Sequence, residues 1–85
     1  MDLTGKKFTL NKARVKLTDE ITDREMRRKG QIVKIMLCEI GTPLLFEYGD
    51  GGVLRTSLVE TITQTGNVLG VHTMNTYYEF IELGA

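Results

Sequence analysis

The chain has one cysteine, one histidine, no net charge and no long apolar run. Each shortage removes a class of protein. A single cysteine, Cys38, allows no internal disulfide, which fits a reducing compartment. No apolar stretch approaches the roughly 20 residues of a membrane helix, and the N-terminus lacks the apolar run of a signal peptide. A cytoplasmic protein without membrane contact is the expectation. One His and one Cys do not supply the three or four ligands of a metal site, so neither metal nor cofactor is expected. A Cys–His nucleophile pair would need Cys38 and His72 in hydrogen-bond reach, with a third group orienting the ring. Both lie mid-strand in apolar context. Gly49-Asp50-Gly51-Gly52 is glycine-rich but lacks the Lys-Ser/Thr that follows a phosphate loop. These shortages together predict no enzymatic activity.

What is present is a strand grammar. From Phe46 to Phe80, short apolar runs alternate with turn clusters at Gly49–Gly52, Gln64–Asn67 and Met74–Thr76. That pattern reads as consecutive antiparallel strands. The whole chain, residues 1–85, is short enough for one domain with one core. Upstream, Phe8 and Leu10 alternate with Lys7 and Thr9, and Ala13, Val15 and Leu17 alternate with basic and polar residues. Asn11-Lys12 between them is a turn or a bulge. Gln31–Ile40 is apolar on both faces, as in a central strand. Leu44, Phe46 and Tyr48 share one face of the next. The adjacent Leu58-Val59 predicts a bulge or corner near Ser57, where a barrel strand changes direction. The apolar face also switches between Phe80 and Ile81, which predicts a second bulge or a frayed end. The expected core is Val15, Leu17, Val33, Ile35, Leu37, Leu44, Phe46, Leu54, Val71, Tyr78 and Phe80.

Residues 19–30 break the alternation with a dense run of charge. Thr22 followed by Glu25 fits a capping box. Asp23 in the first turn and Arg27, Arg28 and Lys29 in the last suit the helix dipole. Gly30 suits a left-handed stop. Two readings fit: a short helix over Asp23–Lys29, or a mobile charged loop.

From Gly30 onward the chain runs GQIVKI, then LLFEYGDGGVLRTSLVETI, then VHTMNTYYEF. This resembles small SH3-like β-barrels. It is also similar to short uncharacterised bacterial and phage proteins with a Thr-Ser-x-Val element followed by Thr-x-Asn-x-x-Tyr. Here those elements are Thr56-Ser57-Leu58-Val59 and Thr73-Met74-Asn75-Thr76-Tyr77-Tyr78. Residues 1–29 fall outside the resemblance, and it brings no catalytic residues. It implies a mostly-β fold: a small, partly open SH3-like antiparallel barrel of five or six strands with one short helix or charged loop. A phage or prophage origin would suit a regulatory or accessory role.

Zero net charge conceals an asymmetry. Residues 1–42 hold ten Lys/Arg and six Asp/Glu, a sum of +4; residues 43–85 hold one and five, a sum of −4. Either the halves attract one another within the fold, or they form separate basic and acidic faces. On the second reading, Arg24, Arg27 and Arg28 would bind a partner, with Tyr77 as an aromatic anchor. The expected partner is a protein, or a second copy of the chain. A nucleic acid bound by the Arg/Lys-rich N-terminal third is the alternative, opposed by the zero net charge and the interleaved acids. Thr56, Ser57, Thr73 and Asn75 either line a groove or bond to nearby backbone at a bulge and a turn.

Overall fold

The structure, a computed structural model, describes residues 3–83; Met1, Asp2, Gly84 and Ala85 lie outside it. Six antiparallel strands form the fold: β1 (Lys7–Val15), β2 (Ile32–Leu37), β3 (Pro43–Tyr48), β4 (Val53–Thr65), β5 (Val68–Thr73) and β6 (Thr76–Glu82). Each pairs with the next, and β6 returns to pair with β1. The sheet therefore closes on itself, where a partly open barrel was expected. Closure removes the row of unpaired N–H and C=O groups that an edge strand would present.

The register shifts in four of the strand pairings, and two of these shifts bear on the sequence reading. β4 pairs with β3 up to Leu58 and with β5 from Val59 onward, and the register slips between Pro43 and Leu45 of its neighbour. Two residues of β4, Thr56 and Ser57, face the single Leu44 there, at the corner that Leu58-Val59 predicts. There the Thr56 hydroxyl accepts the Leu44 N–H at 3.0 Å and donates to the Ser57 carbonyl at 2.7 Å. Another shift is in β1, where Leu10 pairs with Phe80 and Lys12 with Glu79, leaving Asn11 over. β6 itself runs without a slip from Thr76 to Glu82, so the bulge or frayed end expected between Phe80 and Ile81 is not made.

The ring is uneven. β1 pairs with β2 only at Lys7, Phe8 and Thr9, but with β6 along nearly its whole length. Beyond Thr9, residues 20–31 take the place of a partner strand. Leu10 O accepts the Gly30 N–H at 2.7 Å, and Leu10 N–H reaches Gln31 O at 3.0 Å. Gly30 adopts φ 86°, which few residues other than glycine take without strain. Ala13 O accepts from both the backbone and the hydroxyl of Thr22, and Val15 N–H donates to Glu20 O.

A six-residue helix, α1 (Asp23–Arg28), sits in this stretch. Thr22 caps it, its hydroxyl accepting the Glu25 N–H at 3.2 Å. The other half of the capping box is not made. The Glu25 carboxylate turns instead to the Ala13 N–H at 2.8 Å and the Arg14 Nε at 2.7 Å. Glu25 is thus the buried residue of the helix, while Met26 is exposed.

The core holds Phe8, Leu10, Ala13, Val33, Ile35, Leu44, Phe46, Val59, Leu69, Val71, Tyr78 and Phe80, among others. Phe46 is at its centre, edge-on to Tyr48, Tyr78 and Phe80 at 5.4, 6.0 and 5.3 Å between centroids. Leu54 packs against the cluster while half-buried. Three expected core residues are outside it: Leu37, which is half-buried, Val15, 38% exposed, and Leu17, 96% exposed. The alternation of Ala13, Val15 and Leu17 is real, but the strand ends at Val15. Asp19, at φ 59°, returns its N–H to Val15 O, and the chain leaves the barrel before Leu17 could be covered.

Candidate functional site

α1 packs against β1, and its arginines, with Tyr48 at the end of β3 and Leu54 near the start of β4, define a cleft, the α1 mouth. The cleft measures about 270 Å³ and is lined by Asp23, Arg24, Arg27, Arg28, Tyr48 and Leu54. The spacing is helical: Arg24, Arg27 and Arg28 stand three and four apart, so they share one face.

The three arginines do different things. Arg28 lies flat against Tyr48, its guanidinium carbon 4.2 Å from the ring centroid. Its Nη1 donates to Asp50 Oδ2 at 2.8 Å and to Gln31 Oε1 at 3.1 Å. That contact holds the Asp50 carboxyl below the usual carboxylate range, helped by the Gly52 N–H. Arg24 reaches inward, donating to the Tyr78 hydroxyl at 2.9 Å. Burial pushes the Tyr48 and Tyr78 hydroxyls above the ordinary tyrosine range, and the nearby Arg24 charge opposes that shift. No carboxylate among the described residues stands at ion-pair distance from Arg24. Arg27 points to solvent, with a side chain 78% exposed and only a 4.0 Å approach to Asp23.

Tyr77 is not part of this cleft. It faces outward on β6, its ring 4.6 Å from that of His72. Its hydroxyl donates to Glu79 Oε1 at 3.1 Å, and burial raises its pKa, with Glu79 adding to the effect. Beneath it is Gly70, where a Cβ would come within 3.1 Å of the Tyr77 hydroxyl and 2.6 Å of the Thr63 hydroxyl. The ring fills the dent that the glycine leaves. Tyr48 and Tyr78, which the sequence places with the inward residues of their strands, are the tyrosines that meet the arginines.

The polar residues singled out in the sequence are elsewhere. Thr73 is buried, and its hydroxyl accepts the Thr76 N–H at 3.1 Å and donates to Thr76 O at 3.0 Å, fixing the β5–β6 turn. Thr56 and Ser57 form the β4 corner. Asn75 is exposed, and its carbonyl accepts the Lys16 N–H. None of the four lines the α1 cleft.

The opposite charges of the two halves meet within the fold. Lys16 pairs with Glu60 and Arg28 with Asp50. Lys34 stands across from Glu47 and Lys12 across from Glu79. Four basic residues of the first half thus stand beside acidic residues of the second.

Cys38 is buried beside Leu3, Ile40 and Ile62, and burial pushes its thiol up to about 11. No hydrogen bond joins it to His72 among the described residues. Among the same residues, no three His, Cys, Asp or Glu side chains gather as metal ligands. No helix there is long and apolar enough to cross a membrane. Comparison with protein-family models, with curated proteins and with solved structures finds no match.

Proposed function

We propose that the chain is a non-enzymatic protein-interaction module, of the small SH3-like barrel kind and acting in the cytoplasm, that docks a protein partner at the α1 mouth. One observation carries the reading. Three arginines from a single turn and a half of helix meet a tyrosine and a leucine in one cleft. Arginine and tyrosine are the side chains that most often carry interface energy. Fixing two of the arginines on Tyr48 and Tyr78 lowers the entropy lost when a partner binds. The scaffold beneath is a closed ring, which holds the helix at a fixed place.

Nucleic-acid binding is the competing reading. It draws on excess positive charge, and here most bases near the mouth have carboxylates of their own. The test uses Arg27→Glu, because Arg27 is exposed and its reversal leaves the fold alone. A tagged wild-type chain should retain a protein from its source cell after nuclease treatment, and Arg27→Glu should lose it. Retention that disappears with nuclease, or falls steeply with salt on an oligonucleotide, would establish the competing reading instead.

A further inference from the structure

We propose that the α1 cleft receives one carboxylate, the side chain of an Asp or Glu in an acidic segment of a partner protein, with Arg24 as the residue that holds it. This rests on the α1 mouth being the docking site. Charge and size both lead there. Arg28 is already matched by Asp50, and Arg27 is approached by Asp23. Arg24 is half-buried and bonds to a neutral phenol, with no carboxylate at ion-pair distance among the described residues. Three cations against two anions leave one positive charge, which one carboxylate neutralises. A guanidinium has five N–H donors in a planar fork, and the Tyr78 hydroxyl occupies one of its nitrogens. The rest of the fork suits a carboxylate.

The cleft volume, about 270 Å³, is under the range of roughly 300–1,000 Å³ typical of small-molecule sites. It has room for a side chain or two. Leu54 and the Tyr48 ring supply an apolar wall, so a leucine beside the acid would gain by burial. A polyphosphate chain would need several unmatched cations in a row, and two of these three arginines have their own acids.

The test is a titration of the folded, ¹⁵N-labelled protein followed by NMR at the Arg24 side-chain Nε–H and the backbone amides. The probes are the tetrapeptide acetyl-Leu-Asp-Glu-Leu-amide, its isostere acetyl-Leu-Asn-Gln-Leu-amide, inorganic phosphate, and a single-stranded oligonucleotide of about ten nucleotides. The acidic peptide should shift the Arg24, Tyr48 and Leu54 signals and saturate, with the isostere at least about tenfold weaker. Arg24→Gln, which removes the charge and keeps an N–H donor, should weaken the acidic peptide by a similar factor. Should that variant fold poorly, the comparison of the two peptides on the wild type decides alone. Equal binding of peptide and isostere would overturn the carboxylate while leaving α1 as a docking site. No shift at Arg24 up to about 10 mM peptide would also overturn it. So would phosphate or oligonucleotide saturating the same signals more tightly than the peptide.

Discussion

Removing the Glu25 carboxylate should unfasten the one place where the barrel lacks a strand. In Glu25→Ala two bonds vanish: the ionic one to Arg14 and the one from the Ala13 N–H. Ala13 is fully buried, so its N–H loses its partner without gaining water, at about 1–3 kcal/mol. Breaking a buried ion pair costs about 3–5 kcal/mol where both charges are desolvated. Here the Arg14 side chain is 19% exposed and keeps Asp19 at 3.6 Å, which puts the pair toward the lower end. Both losses fall on the one carboxylate and overlap, so the total expected is about 3–4 kcal/mol, or a fall in Tm on the order of 15–25 °C for a domain this size. Glu25→Gln keeps an acceptor for Ala13 and should lose about 1–2 kcal/mol. The pH dependence follows from direction. Burial opposes ionisation of Glu25, yet Arg14 and the Ala13 N–H together hold its carboxyl below the usual glutamate range. A depressed folded pKa gives stability that is present above the unfolded value, near 4.3, and is lost as pH falls through the folded one. The gap between wild type and Glu25→Gln should therefore be full at neutral pH and shrink below about pH 4. Urea melts across that range, with amide exchange at Ala13, make the measurement. A Glu25→Ala protein within about 0.5 kcal/mol of wild type would refute the role of Glu25 in closing the ring.

Phe46→Ala should cost about 3–5 kcal/mol in a urea melt, since three rings pack around a fully buried side chain. A loss under about 1 kcal/mol would place Phe46 outside the core. Thr56→Val should cost about 1–2 kcal/mol by leaving the Leu44 N–H without its acceptor, and Thr56→Ser should recover most of it. Cys38 should react with a thiol reagent at neutral pH about two orders of magnitude slower than free cysteine, because burial keeps it protonated. A rate like that of free cysteine would contradict its burial.

Much of the fold is legible in the sequence because alternation and turn chemistry are local. The strands over Gln31–Phe80, the Ser57 corner and the cap at Thr22 are set by neighbours a few residues apart. Closure of the ring is not local, since it depends on β6 returning to β1 and on Asn11 being left over. The phase of Ala13, Val15 and Leu17 is readable, but the strand end at Val15 is fixed by contacts with residues 19–21 and with Asn75. The destination of Glu25 is also hidden. The Thr22–Glu25 spacing suggests a reciprocal cap, and only the unpaired edge of β1 explains why the carboxylate goes to Ala13 instead. At the site, helical spacing brings Arg24, Arg27 and Arg28 together as the sequence suggests. Alternation sends Tyr77 outward onto Gly70 and leaves Tyr48 at the mouth, which is a matter of which end of each strand meets the helix.

The most direct test is a map of where the captured protein partner touches the chain. Amide shifts or exchange protection on adding that partner should concentrate in Asp23–Arg28 and in the stretch from Tyr48 to Leu54. Changes confined to the outer face around His72 and Tyr77, with the α1 mouth untouched, would contradict the account.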